Sequence, residues 1–248
     1  IDQLGNSNSA YVTQKGDANK TTIDQVGNGN WATSHLHMVN SDLNSAEITQ
    51  INGDGNIADQ SGDGSGSFQK NSFSITQDGS GNNANQLMGG NLGNWSGGNT
   101  QTVSQTGTGH IADQDLINPV ATVKGNSQSI TQGGGDDNQA VQVISDHSSY
   151  KFHNGANNTE IAIQTGSGND IRQEQVDIDN GYSKVEQVGN SNNAVIKQVT
   201  TDATGSSMTL TQRGNTNRAK LNQTGGGTGV ADQIGDDNII EGLLTDVP

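Results

Sequence analysis

Apolar and amide side chains recur two residues apart along most of this chain, separated by short polar residues. Asn71, Phe73, Ile75 and Gln77 fall on one parity, with Ser72, Ser74 and Thr76 between them. A period of two places one set of side chains on one face of a β-strand. About five residues rich in Gly and Asn follow the Gln, as in Gly189-Asn190-Ser191-Asn192. The alternation then resumes at Ala194, Ile196 and Gln198. Gly and Asn tolerate the positive φ of a tight turn, so Gly5, Asn8, Gly27, Asn30, Gly79, Asn82, Gly189, Asn192, Gly214 and Asn217 are predicted as turn residues. Each unit reads strand, arc, strand, arc.

The unit repeats. IDQLGNSNSAYVTQ from Ile1, VEQVGNSNNAVIKQ from Val185 and LTQRGNTNRAKLNQ from Leu210 share one pattern, aliphatic-x-Gln-x-Gly-x-x-Asn-x-Ala-x-x-x-Gln. Looser copies lie between them. The leading amides are Gln3, Gln25, Gln50, Gln77, Gln105, Gln132, Gln164, Gln187, Gln212 and Gln233, spaced by about 26 residues on average. Six residues upstream stand Asn19, Asn44, Asn71, Asn99, Asn126 and Asn158, with Ser206 later in the same slot. The second amide of each unit is Gln14, Gln60, Gln86, Gln114, Gln142, Gln173, Gln198 or Gln223; in the middle units it comes early but keeps parity with its Ala. The whole chain, 1–248, divides as a single repeat domain into 1–18, 19–43, 44–70, 71–98, 99–125, 126–157, 158–180, 181–205, 206–226 and a partial 227–248.

One such unit cannot bury its own face, so repeats of this size must stack. The fold expected is all-β: a β-solenoid of about nine to ten strand-arc-strand-arc rungs forming two parallel in-register sheets, roughly 45 Å tall at the usual strand spacing. The predicted inward aliphatic residues are Ile23, Ile48, Ile75, Val103, Ile130, Val185, Ile196, Leu210 and Leu221. The Gln and Asn positions above are predicted to point inward too, each stacking on its copies and hydrogen-bonding along the axis. Extra residues at Ser61–Lys70, Leu87–Gly98 and Ser145–Asn157 read as surface loops of the second arc; they carry Phe68, Trp95, Tyr150 and Phe152.

Composition explains why stacking is needed. Only 28% of the 248 residues are hydrophobic and 3% aromatic, too few to offset the entropy of ordering through an ordinary core. With only 2 Pro the chain departs from usual disordered segments. The net charge of −15 comes without a Lys/Arg cluster, which argues against nucleic acid and anionic membrane as partners. No stretch reaches transmembrane length. The absence of Cys suits an extracellular repeat protein that needs no disulfide. No charged-then-apolar leader opens the sequence, so secretion would require a signal peptide lying outside this numbering.

The pattern Gln-x-Gly-x-x-Asn-x-Ala-x-x-x-Gln, complete at Gln3–Gln14, Gln187–Gln198 and Gln212–Gln223, resembles the curlin repeat of curli subunits, the functional amyloid of bacterial biofilms. The resemblance implies secretion across the outer membrane and an extracellular location. It also implies a homopolymer grown end to end, with a nucleator subunit and secretion machinery as partners. An adhesive role in the biofilm matrix goes with these.

Two alternatives come from other classes. A monomeric secreted solenoid adhesin would share the fold without growing. A calcium-dependent repeat protein would use Asn52-Gly-Asp54-Gly-Asn56, Asp63-Gly-Ser-Gly66 or Gly166-Ser-Gly-Asn169-Asp170, though such nonapeptides normally run in tandem and these recur once per long unit. No nucleotide-binding, zinc-protease or catalytic-triad spacing is present, so no catalytic role, cofactor or metal is expected. His35 and His37 share a parity and are read as an outward-facing pair; His110 takes the Asn slot of its unit, and the remaining histidines are His147 and His153.

Overall fold

The computed structural model describes residues 1–64, 67–90, 95–118, 123–145, 157–176, 180–199, 206–225 and 227–244, and every regular element among them is a β-strand. The chain winds as a β-solenoid with two parallel sheets. The first sheet has ten strands: Asp2–Leu4, Lys20–Val26, Ser45–Ile51, Ser72–Ser80, Thr100–Thr108, Ser127–Asp136, Thr159–Thr165, Tyr182–Val188, Ser207–Arg213 and Thr228–Ile234. Each pairs with the next copy so that the leading glutamines stay in register; Thr100–Thr108 and Ser127–Asp136 shift by one residue after Gln105. Gln50 lies beside Gln77, which lies beside Gln105. The second sheet is formed by the return strands, Ser9–Asp17, Trp31–Asp42, Ile57–Gly64, Asn83–Gly90, Ile111–Asn118, Gln139–Ser145, Asp170–Val176, Asn193–Val199, Arg218–Thr224 and Ile239–Leu244. Alternation gives the burial: Tyr182–Val188 and Asn193–Val199 bury every second residue, and the residues between lie at the outer face.

The arcs close through backbone conformation. A residue in the left-handed region precedes the Asn of each first arc, for example Gly29 (φ 64), Ser191 (φ 56) and Thr216 (φ 56). The same device ends the second arc at Leu43 (φ 59), Lys70 (φ 57) and Gly98 (φ 68). At the head of the first arc the glycines stack. Gly79 has φ 123, and a Cβ there would run into the carbonyl of Gly107 one rung on. Only a residue without Cβ fits both that dihedral and that approach.

The core is a thin apolar layer between the sheets. Ile23, Ile48, Ile75, Val103, Ile130, Val185, Ile196, Leu210 and Leu221 are buried and belong to one continuous cluster, with Ala32, Ala58, Ala84, Ala112, Ala140, Ala194 and Ala219 facing them. A second cluster joins Leu36, Ala46, Phe73, Met88, Leu116 and Ile144 at the far side of the rungs.

That cluster corrects the reading of the long second arcs as surface loops. Residues 61–64 and 87–90 continue strands, and Met88 is buried. Ser67–Gln69, Trp95–Gly97 and Val123–Lys124 stack as a third, short parallel ladder that begins at Asp42. Three consecutive units of nearly equal length keep their extra residues in register, so those residues can pair. Phe68 and Trp95 sit in these strands, whereas 146–156, with Tyr150 and Phe152, lie outside the described residues.

Candidate functional site

The feature that organises the molecule is a set of buried amide columns running along the solenoid axis. The longest joins all ten leading glutamines. Nε2 of each donates to Oε1 of the next, from Gln3 to Gln25 (2.6 Å) through Gln77 to Gln105 (2.9 Å) to Gln212 to Gln233 (2.7 Å). The intermediate links, through Gln50, Gln132, Gln164 and Gln187, are 2.8–3.2 Å long. The same nitrogen also donates across the core to the return strand of the preceding rung, as Gln77 does to the Ile57 carbonyl at 2.8 Å. Both amide hydrogens and the carbonyl oxygen are therefore used. That satisfies a polar side chain which would otherwise cost about 1–3 kcal/mol to bury.

A second column runs down the return strands. Gln60, Gln86, Gln114, Gln142 and Gln173 are linked in that order at 2.8–3.1 Å, and the last donates to Ser183 Oγ at 2.9 Å. Gln198 and Gln223 are buried, but one slot further along the strand. Gln198 donates to the Tyr182 carbonyl and Gln223 to the carbonyls of Gly225 and Gly227; the Oε1 of each meets no donor.

Gln3 and Gln14 hold the inward slots, in register with Gln25 and Leu36, but both are exposed. They belong to the first rung, which has nothing stacked on its outer side. Gln14 donates to Thr21 Oγ1 rather than to another glutamine.

The arc asparagines are the larger correction. Asn30, Asn82, Asn192 and Asn217 are buried, and Asn8 is half-buried; none of them takes the positive φ expected of it. The residue before each takes the positive φ, which leaves the Asn extended and turned inward. Its Oδ1 accepts the backbone N–H of the Asn in the next rung (Asn30 to Asn8 at 3.0 Å, Asn217 to Asn192 at 3.0 Å). Its Nδ2 donates to a glycine carbonyl of that rung (Asn192 to Gly214 at 2.8 Å, Asn82 to Gly107 at 3.0 Å). Asn56, Asn138 and Asn169 hold the same slot.

His110 replaces Asn there. It is buried. Its Nδ1 accepts the Asn138 N–H at 3.2 Å, and its Nε2 lies 3.1 Å from the Thr106 carbonyl. That geometry fixes the neutral ring with the proton on Nε2. The second-arc asparagines form a matching column, in which Asn44, Asn71, Asn99, Asn126 and Asn158 are buried, Asn19 is half-buried, and each accepts the backbone N–H one rung on.

Among the buried polar residues not foreseen, beside Ser34, Ser145 and Ser183, are Gln101, Gln128, Glu160 and Gln175. Of these four, Gln101, Gln128 and Glu160 stack, Gln101 to Gln128 at 2.8 Å and Gln128 to Glu160 Oε2 at 3.1 Å. They stand two residues after Asn99, Asn126 and Asn158, where Phe73 stands in an earlier rung. The period of two from each Asn would have pointed to them.

Residues 1–27 match the family model of the curlin associated repeat. A comparison with curated proteins finds no match.

Among the described residues, charge in the solenoid lies outside the columns, with one exception. Burial pushes Glu160 up to about 8; the hydrogen bond from Gln128 opposes the shift and the nearby Glu174 adds to it. On the outer face, burial and then Asp113 raise Asp115 to about 6, and burial raises Asp59 and Asp170. Lys197 pairs with Glu174 and Lys184 with Glu186, each at 3.1 Å.

Among the described residues no group of three His, Asp or Glu side chains converges as a metal site. The Gly/Asp segments do structural work: Asp54 Oδ1 accepts from Asn28 N and Nδ2, and Asn56 and Asn169 belong to the Asn column. His35 meets Tyr11 edge to face at 5.3 Å, and His147 and His153 lie outside the described residues. The site is a lattice of amide hydrogen bonds repeated from rung to rung.

Proposed function

We propose that the chain is a structural subunit of an extracellular curli-like amyloid fibre. Copies join head to tail by adding the first rung of one to the last rung of another. The fibre supports a biofilm matrix and adhesion, and a nucleator subunit and a secretion apparatus are the partners that go with such growth.

The observation that carries this reading is the polarity of the columns. In the leading column each glutamine from Gln3 to Gln212 donates toward the C-terminal end, and in the two inward Asn columns each Oδ1 accepts from that direction. The last described rung thus presents the Gln233 amide and Asn238 Oδ1, and the first presents Gln3 Oε1, the Asn8 N–H and the Gly5 carbonyl. These groups match in type and slot. Among the described residues, strands Asp2–Leu4 and Thr228–Ile234 each pair on one side only, and an open parallel edge of this kind templates another chain. The uncovered first and last rungs expose Ile1, Leu4, Val230, Ile234 and Ile239.

Incubating the purified chain and imaging it by electron microscopy tests the proposal. Unbranched filaments that bind thioflavin and diffract at the strand spacing are expected. A chain that stays monomeric at high concentration for days would refute it and favour a monomeric solenoid adhesin.

A further inference from the structure

Glu160 is the only fully buried carboxyl among the described residues, and it sits where a polar column meets a break. Gln128 stacks on one side of it and Ser183 on the other. Gln128 Nε2 donates to Oε2 at 3.1 Å, while Oε1 is buried and meets no donor. Across the core, the Gln175 amide donates to the carbonyl of the adjacent Thr159, and Gln175 Oε1 is likewise buried without a donor. Ser183 Oγ accepts the amide of Gln173. The rung formed by Thr159–Thr165 and Asp170–Val176 therefore has two buried oxygens in want of a proton. A carboxylate would add charge to that deficit, whereas a carboxylic acid supplies one O–H donor.

We propose that Glu160 is a proton-operated latch: protonated, it closes this rung onto its neighbours, and ionised, it loosens the joint between the middle and C-terminal parts of the solenoid. This concerns the folded chain and stands whether or not the chain polymerises.

The surrounding charges agree. On the strands packed against Glu160 the charged groups are Asp136, then Asp170, Arg172 and Glu174, then Lys184 and Glu186. All are exposed or half-exposed on the outer face. Arg172 and Glu174 approach each other to 3.9 Å, Lys197 reaches Glu174, and Lys184 holds Glu186. Of these, Glu174 acts on Glu160, in the direction that favours the proton.

Burial raises the folded-state value to about 8 from the ordinary 4.5. The folded chain therefore binds a proton that the unfolded chain releases. The stabilisation is complete below about 4.5 and is lost as pH rises through about 8. Mild acid tightens the stack and mild alkali opens it.

The test compares the freshly dissolved chain with its Glu160→Gln variant, which continues the column with the residue type of Gln101 and Gln128. Denaturant unfolding is followed from about pH 5 to 9. The ratio of the two unfolding constants is expected to climb up to about tenfold per pH unit as far as about pH 8, then level off. A ratio independent of pH would overturn the proposal. A second readout guards against a variant that fails to fold: near pH 6 the unmodified chain should show the infrared carbonyl band of a buried protonated carboxyl in excess of the partly exposed acids, surviving at pH 7 after Asp115 has ionised. Its absence at pH 7 would equally overturn the proposal.

Discussion

The middle rungs and the C-terminal rungs use the same residue types at the same parity but in opposite order. In the middle the return strands bury Ala, Gln and then an apolar residue: Ala84, Gln86, Met88, and Ala112, Gln114, Leu116. In the C-terminal part the order is Ala194, Ile196, Gln198, and Ala219, Leu221, Gln223. The consequences differ. In the middle, each glutamine links to the next, and the apolar residue beyond it feeds the second cluster of Leu36, Phe73, Met88, Leu116 and Ile144. In the C-terminal part Gln175, Gln198 and Gln223 occupy one slot in register, yet each gives its amide to backbone and leaves Oε1 without a donor. A repeated Gln is thus not by itself a column. The column exists only where the side chain sends one donor along the axis.

The sharpest way to break this contrast is Leu116→Ala. It removes a fully buried side chain from the second cluster and should cost about 3 kcal/mol; the equilibrium unfolding midpoint measures it. Gln114→Leu comes next. It strands the amide of Gln86 and the acceptor of Gln142, for a loss of about 2 kcal/mol. Gln198→Leu should cost less than about 1 kcal/mol, because it removes one backbone hydrogen bond together with an unsatisfied oxygen; an equal loss at both glutamines would erase the distinction. The smallest effect belongs to His110→Asn, which restores the usual residue of its column and should shift stability by under about 1 kcal/mol at neutral pH.

Much of this architecture was legible in the sequence, for one reason: a period of two assigns faces. Gln77, Ile75 and Asn71 could be set on one face before any coordinates, and so could the early Gln of the middle units through parity with Ala84 and Ala112. The arcs defeated the same logic. Parity lapses at a turn, so Asn30 and Asn192 read as turn formers although their neighbours Gly29 and Ser191 take the positive φ. The long second arcs misled because Gly- and Ser-rich stretches usually run over the surface, and only their equal length in successive units lets them pair. Glu160 escaped because alignment on the leading Gln hides a slot filled in turn by Phe73, Gln101, Gln128 and Glu160. No single unit shows what a column contains.

The central claim is that amides stacked along the axis order this polar chain and carry its order into a neighbour. Solid-state NMR on fibres grown from an equal mixture of chains labelled with nitrogen-15 in glutamine and chains labelled with carbon-13 in glutamine tests it most directly. The account predicts a side-chain amide contact between differently labelled molecules that disappears when Gln3 is replaced by Leu. Fibres that form without any such contact would contradict it.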